Sequence, residues 1–571
     1  MRCTGQVGGR DTKGVSMTVS DILLKVLAAH GVEHLFGIPG DAINDVTEAV
    51  RKQDAIRFIG VRHEEAGALA ASVQAKLTGR LAACMGTSGP GAIHLLNGLY
   101  DARLDHAPVI AITGQVATGF IGTEAHQEVR LERLFSDVAV YSQTVTTAAQ
   151  VPDVFLEACR AAVVHRGVAH VSIPTNVSGL RATFDDDQRL KTAAAGKISP
   201  AIADCAAAVE LINDSERIVI LAGIGCAGCQ AELIAFAEAV QAPIVRSLKA
   251  KEVIDDDHPL CAGGLGMLGG KPAVKAMDEC DLLIMIGTDF PYQDFYPKSA
   301  RTIQIDWEPT RIGRRHPVDI GLVAHAGPTL AALTERVAKS ETGSFLKAIQ
   351  AEMTQWRENR DQDEISDSTP IAPPRVLKAL SDAAPDDTIF IADTGTATAW
   401  AARHLRIRPG QRFTLSGGLA TMAIGLPGAI GAQLAYPNRR VVAIVGDGAF
   451  SMLIGDLVTA VRYELPVVIV VLNNAKLGFI TLEQEAKGLP DWGTDITNPD
   501  FTALAEACGA LGISVTDPGD LNAALEQAFD ARRPVVVNVS VDPDALIMPP
   551  KIELSQAMKF GMAKIREAAG L

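Results

Sequence analysis

The stretch VVAIVGDGAFSMLIGDLVTAVRYELPVVIVVLNN, from Val441 to Asn474, decides the fold. Two unbroken apolar runs rich in Val and Ile bracket a helical segment, FSMLIGDLVTAVRYE. Unbroken rather than alternating hydrophobicity marks strands covered on both faces. Strand, helix and strand in this order form a right-handed crossover. It sets the two strands parallel, with their C-terminal ends on one side, where open α/β sheets bind ligands. Both ends are polar: Gly446-Asp447-Gly448 on one, Asn473-Asn474 on the other, with 24 residues between Gly448 and Asn473. A carboxylate, an amide oxygen and a backbone carbonyl suit a hard cation such as Mg²⁺, which keeps its other positions for water and phosphates. The glycines let a phosphate approach the backbone and the helix N-terminus. A strand-end Asp capping a helix, followed by an Asn-Asn turn, is the alternative. The glycine motif alone favours that alternative, whereas the asparagine pair at this distance favours a bound diphosphate and metal.

The same pattern extends outward. From near Arg375, TIFIADTG and RPVVVNVSV add apolar strands to this block. A first block, about Thr18 to Leu180, opens with the amphipathic DILLKVLAAHG, closed by Gly31. It continues through HLFGIPG, RLAACMGTSGPG and APVIAITG. A second, from near Ala201, contains RIVILAGIGCAG, APIVRSL, CDLLIMIGTDFPY and RTIQIDWEP. TFDDDQRLKTAAAGKISP reads as a polar linker and SFLKAIQAEMTQWRENRDQDEISDS as a charged helical connector. The expected fold is α/β, in three domains that are each a mainly parallel sheet flanked by helices. They cover residues 17–182, 198–338 and 370–545, between a flexible extension (1–16) and a C-terminal tail helix (546–571). The first and third blocks look alike in architecture, although no sequence repeat is visible.

With 571 residues the chain exceeds one hydrophobic core. A net charge of −15 without a Lys/Arg run argues against a nucleic-acid partner. Nine scattered cysteines read as a reducing cytoplasm rather than a disulfide framework. Cys226-Ala-Gly-Cys229 is a lone CxxC, a weak zinc signal. Gly223-Ile-Gly225-Cys-Ala-Gly228 is a GxGxxG after a strand, a weak dinucleotide signal that by itself would suggest a nicotinamide-dependent dehydrogenase. No apolar stretch is long enough to span a membrane. The polar N-terminus lacks an apolar signal region, and Met17 is a candidate functional start.

From about Met17 onward the sequence resembles the thiamine-diphosphate enzymes of the acetolactate synthase and pyruvate oxidase group. The resemblance implies thiamine diphosphate, Mg²⁺ and FAD as cofactors. In that family the GDG…NN segment holds metal and diphosphate. The implied ligands are Asp447, Asn474 and the backbone carbonyl of Lys476, with Gly448, Ala449, Leu477, Gly478, Phe479 and Ile480 along the cofactor. Ser416-Gly-Gly-Leu-Ala-Thr-Met422 resembles the loop beneath the bent cofactor, implying Ala420, Thr421 and Met422. In Arg62-His63-Glu64-Glu65 the resemblance assigns Glu64 to the aminopyrimidine ring, where it stabilises the imino tautomer. As an isolated motif this stretch reads as acidic residues at a helix start. Gly86-Thr-Ser-Gly-Pro-Gly91 resembles the family's active-site loop. Since Glu64 and Asp447 fall in different blocks, the family arrangement implies a cofactor between two subunits, hence a homo-oligomer that is at least a dimer and expected to be a tetramer. FAD is implied in the Rossmann-like central domain, on Gly225, Leu265, Gly266, Met267, Leu268, Thr288, Asp289, Phe290, Pro291, Tyr292 and Asp306. Asp306 ends a strand and is suited to a ribose hydroxyl.

The branch is read from Leu477-Gly-Phe-Ile-Thr-Leu-Glu483. Acetolactate synthases have Trp where Glu483 stands, whereas pyruvate oxidases have Phe and Glu, as here at Phe479 and Glu483. Phosphate-using oxidases carry an Arg at the position of Met267. The expectation is therefore decarboxylation of pyruvate to acetate and CO₂, with electrons passing through FAD to a quinone. Glu64, Phe479, Glu483 and Gln127 are the candidate catalytic residues. The alternatives are an acetolactate synthase-type carboligase, a phosphate-dependent oxidase making acetyl phosphate, and the nicotinamide dehydrogenase. His126-Gln127 stands where the quinone-reducing type has Phe-Gln. The tail, which in that type binds lipid, is read as a docked surface helix, so membrane contact is at most peripheral.

Overall fold

A computed structural model describes residues 15–184, 196–339, 343–545, 547, 549 and 550. The expected polar linker largely, and the tail helix almost wholly, lie outside these residues. The chain divides after residue 195 into two compact units, and each is described by itself.

In the first unit, β1 (Val15–Thr18) pairs antiparallel with β8 (Arg181–Phe184). Val15 and Ser16, expected in the flexible extension, are thus strand residues, because their backbone groups find partners in Phe184 and Thr183. The remaining strands are β2 (His34–Gly37), β3 (Arg57–Gly60), β4 (Ala82–Gly86), β5 (Val109–Gln115), β6 (Ala139–Thr144) and β7 (Val168–Pro174). They form a parallel sheet in the order β3-β2-β4-β5-β7-β6. The helix Glu64–Thr78 packs on it with an Ala- and Gly-rich surface and is buried along nearly its whole length. Small side chains allow that close approach: a Cβ on Gly98 of the neighbouring helix would come within 2.6 Å of Ala68 and Leu69.

The second unit contains two sheets. One comprises β9 (Ile218–Ala222), β10 (Ile244–Arg246), β11 (Cys261–Gly264), β12 (Leu282–Ile286), β13 (Arg301–Asp306) and β14 (Ile320–Val323). Its order, β11-β10-β9-β12-β13-β14, is the dinucleotide-binding order, and its switch point lies between β9 and β12. The other comprises β15 (Ile389–Ala392), β16 (Arg412–Leu415), β17 (Val441–Gly446), β18 (Val468–Asn473), β19 (Leu511–Val515) and β20 (Val535–Ser540). It is parallel throughout, in the order β16-β15-β17-β18-β20-β19. Val468 through Val471 are fully buried, each contributing about 1.5–3 kcal/mol through its apolar surface.

One helical expectation needs correction, and a second gains a packing role. FSMLIGDLVTAVRYE is not one helix: Asp447–Met452 and Leu457–Arg462 are separate helices joined by a 3₁₀ turn, Ile454–Asp456. Gly455 disfavours the helix interior, and the buried Asp456 carboxylate accepts a hydrogen bond from the Thr459 hydroxyl at 2.8 Å. The charged connector is a helix, Ser344–Glu364, but it belongs to a core as well. Phe345 and Ile349 pack with Met277 and Leu283, while the buried Glu364 meets His404 at 3.2 Å.

Candidate functional site

The C-terminal ends of β17 and β18 carry the residues singled out in the sequence. Asp447 is the first residue of its helix and 1% exposed. Its Oδ2 accepts from the amide of Asn498 at 2.6 Å, and the same amide donates to the Asn473 oxygen at 3.0 Å. Burial pushes the Asp447 carboxyl above its ordinary value, while the Asn498 amide and the backbone N–H groups of Gly448 and Ala475 pull it down. A buried carboxylate facing amides is stabilised by a cation. Asn474 lies one residue past β18, its side-chain oxygen accepting from the Lys476 N–H at 3.2 Å. Leu477 and Ile496 bond back to Thr494 and Ala475, so the Lys476 carbonyl is used by neither bond.

Around Gly448 the expected cofactor segments come together. A Cβ there would meet Ile496 at 2.9 Å, Leu477 at 3.2 Å and Met422 at 3.7 Å. The supporting loop is held by the Ser416 hydroxyl, which accepts from Thr421 N–H at 3.0 Å, and it passes through positive φ at Ala420 and Ala423. Non-glycine residues held there store strain that persists at functional sites. Ala449 is buried behind Gly448. Gly478 opens the helix Gly478–Ala486. Its Thr481, Leu482 and Glu485 line a cavity of about 350 Å³ with Asn474 and Gly478. Phe479 is half-buried against the domain core, whereas Ile480 and Glu483 are exposed. The residues therefore fit a diphosphate-bound Mg²⁺: a buried carboxylate, an amide oxygen, a carbonyl left out of the bridge beside it and a glycine where a side chain would intrude.

In the first unit, Glu64 is the first residue of a helix and buried, at 7% exposure. His94 Nδ1 lies 3.0 Å from its Oε2, and His63 stacks on His94 with ring centroids 4.4 Å apart. Ligand atoms of these three side chains lie within 4.8 Å of one another. The GTSGPG loop faces the same carboxylate: a Cβ on Gly91 would come within 3.1 Å of Glu64 Oε1. Gln127 closes on this loop. Its side-chain oxygen accepts from the Ser88 hydroxyl at 3.3 Å, and its carbonyl lies 3.0 Å from where a Gly89 Cβ would be. His126 is exposed.

The segments expected to hold a flavin also come together. A Cβ on Gly225 would strike Gly287 at 2.6 Å, and one on Gly266 would touch Phe290 at 3.3 Å and Tyr292 at 3.7 Å. Thr288 and Phe290 are buried, Tyr292 is half exposed, and Asp289 pairs with Arg315 at 2.7 Å. Pro291 lies between Phe290 and Tyr292. Asp306, at the end of β13, is 2% exposed. Its Oδ1 accepts from the Glu308 N–H, while its buried Oδ2 has no hydrogen-bond partner among the described residues. Burial raises the pKa of this carboxyl. An orphaned acceptor at the C-terminal edge of a sheet with the dinucleotide-binding order fits a ribose hydroxyl. Leu265 is buried and Met267 exposed. Arg403 donates to the carbonyls of Met267 and Leu268, both at 3.3 Å.

The sequence reading missed His94, Asn498, Arg403 and Asp393. Asp393 follows β15, and burial pushes it up to about 7 although backbone N–H groups of Gly425 and Thr394 donate to it. Only Asp393 carried a signal, the strand-ending Ala392-Asp-Thr-Gly395. The other three sit in segments without motif character.

Three family profiles match in chain order. The N-terminal TPP binding domain of thiamine pyrophosphate enzymes covers residues 17–134, the central domain 205–333, and the C-terminal TPP binding domain 393–539. The chain is 43% identical to the putative thiamine pyrophosphate-containing protein YdaP of Bacillus subtilis (strain 168), over 95% of each chain. It is 35% identical to a pyruvate oxidase of Lactiplantibacillus plantarum, over 96% of this chain and 92% of that one. A probable acetolactate synthase large subunit of Methanococcus aeolicus is 32% identical, over 94% and 95%.

Proposed function

The chain belongs to the thiamine pyrophosphate enzymes, within the group that holds pyruvate oxidases and acetolactate synthases; from this premise we propose that it decarboxylates pyruvate oxidatively to acetate and CO₂, passing electrons through FAD to a quinone. The carrying observation is Glu483. It stands one helical turn after Phe479, exposed on the first helix past the Asn474 turn. A carboxylate there orients water better than it packs against a second ketone.

When bound, thiamine diphosphate supplies the nucleophilic carbon and electron sink for decarboxylation, and FAD the two-electron acceptor. Asp447, Asn474 and the Lys476 carbonyl would hold the Mg²⁺, and Met422 and Leu477 would flank the cofactor beside Gly448. Glu64, oriented by His94, would hold a proton at the pyrimidine ring. Gln127 fixes the loop that faces Glu64. Asp306 and the Gly225 turn would hold the FAD. Met267, uncharged, offers nothing to a phosphate co-substrate, which favours water as the acyl acceptor.

The active enzyme is proposed to be a cytoplasmic homotetramer that meets a membrane quinone only peripherally. No helix among the described residues is long and apolar enough to cross a membrane. Steady-state turnover of pyruvate with a quinone analogue tests the reading: acetate should form at equal rates with and without phosphate. Acetolactate, read as acetoin after acid treatment, would instead establish the carboligase, a second reading favoured by the acetolactate synthases among the relatives.

A further inference from the structure

Cys226-Ala-Gly-Cys229 has no part in the chemistry above, and no third metal-ligating side chain joins it: among the described residues only His63, Glu64 and His94 form such a group. Its geometry is that of a closed turn. The Cys229 N–H donates to the Cys226 carbonyl at 3.1 Å, and the Cys229 thiol donates to the same carbonyl at 3.2 Å. Gly228, at φ +79°, supplies the left-handed step. A four-residue turn brings its end Cα atoms within about 7 Å, close to the span a disulfide bridges.

The two thiols differ in setting. Cys226 is fully buried beneath the turn, its thiol donating to the Ile286 carbonyl at 3.5 Å. Cys229 is the N-cap of the helix Gln230–Val240, whose N-terminus favours a thiolate. Its hydrogen bond with Cys226 lowers the Cys229 thiol and raises that of Cys226. Cys229 is also buried, at 7% exposure, with Gly327 of the helix Ala326–Thr334 close to its Cβ, while the turn residues Ile224, Gly225, Ala227 and Gly228 are exposed. Cys159 and Cys280, by contrast, are pushed up to about 12 by burial.

We propose that Cys226 and Cys229 form a thiol–disulfide couple that a peroxide closes, resetting the turn that carries Gly225. Cys229 thiolate attacks one peroxide oxygen, the O–O bond breaks, and the alcohol or water leaves with a proton. Cys226 then displaces water from the resulting sulfenic acid, forming the S–S bond. The two thiols together lose two electrons and two protons, and the peroxide gains them. The consequence for FAD, whose pyrophosphate would approach Gly225, rests on the flavin reading; the couple itself does not.

The test uses the purified full-length protein, reduced and then treated with stoichiometric hydrogen peroxide. Denaturing alkylation and peptide mapping should show the titre fall from nine thiols to seven, with a Cys226–Cys229 cross-link that dithiothreitol reverses. Cys229→Ser should retain all its remaining thiols, and Cys226→Ala should stop at a sulfenic acid on Cys229. Nine alkylated thiols, or a sulfinic acid on Cys229 beside an alkylated Cys226, would overturn the proposal. So would a double variant that still loses two thiols. Flavin fluorescence is read in parallel, and release should be faster from the oxidised protein. A cross-linked protein that purifies without flavin would sink the flavin reading and leave the couple standing. A flavin-loaded protein without the cross-link would do the reverse.

Discussion

The first and last sheets have the same strand order. Numbered from its own first strand, each reads 2-1-3-4-6-5, all parallel. Their ligand edges nonetheless differ. The first sheet presents one carboxylate, Glu64, at a helix start, with an imidazole as its neighbour. The last presents Asp447 and Asn474 on adjacent strands, with the Asn498 amide bridging Asp447 and Asn473. In the proposed reading, one edge holds a proton and the other a cation. A shared scaffold fixes where groups converge, and the strand-end residues decide what they do.

Variants at the two edges should therefore damage different quantities. Glu64→Gln is expected to lower turnover by ~10²–10⁴-fold, the usual worth of a positioned acid–base group, while Mg²⁺-dependent vitamin binding changes little. Equal losses of binding in this variant would break the contrast. Asp447→Ala should weaken Mg²⁺-dependent binding of thiamine diphosphate by more than ~100-fold, and Asn498→Ala by ~10–100-fold, as for an outer-shell partner. Equilibrium dialysis at fixed Mg²⁺ separates the two.

The smallest effect concerns Asp393, which follows β15 on the last sheet. Its pKa rises from an ordinary value near 4 to about 7 in the fold because burial outweighs the backbone donors. The stabilising protonated form is fully present below the unfolded value, and its contribution is lost as pH rises through 7. Denaturant midpoints should therefore decline between about pH 4 and 7, and Asp393→Asn should flatten that slope. An unchanged slope would show that other groups set it.

Much of this was legible in the sequence because buried parallel strands are uninterrupted apolar runs. RVVAIVGDG and LPVVIVVLNN announce both the strands and the polar residues that end them. The twin topology was less legible: the two sheets bury the second and third residues of their first strands with different side chains, Leu35 and Phe36 in β2 against Phe390 and Ile391 in β15, so similar architecture leaves no repeat. The break at Gly455 was hidden by the apolar spacing on either side of it. His94 and Asn498 act through contacts made by tertiary folding, which no local pattern encodes.

Calorimetric titration of the purified, cofactor-stripped protein with thiamine diphosphate most directly tests the central claim that Asp447 and Asn474 anchor the diphosphate through a divalent ion. One molecule should bind per chain with Mg²⁺ present, and binding should vanish with chelator or in Asp447→Ala. Equal binding with and without Mg²⁺, or in that variant, would contradict it.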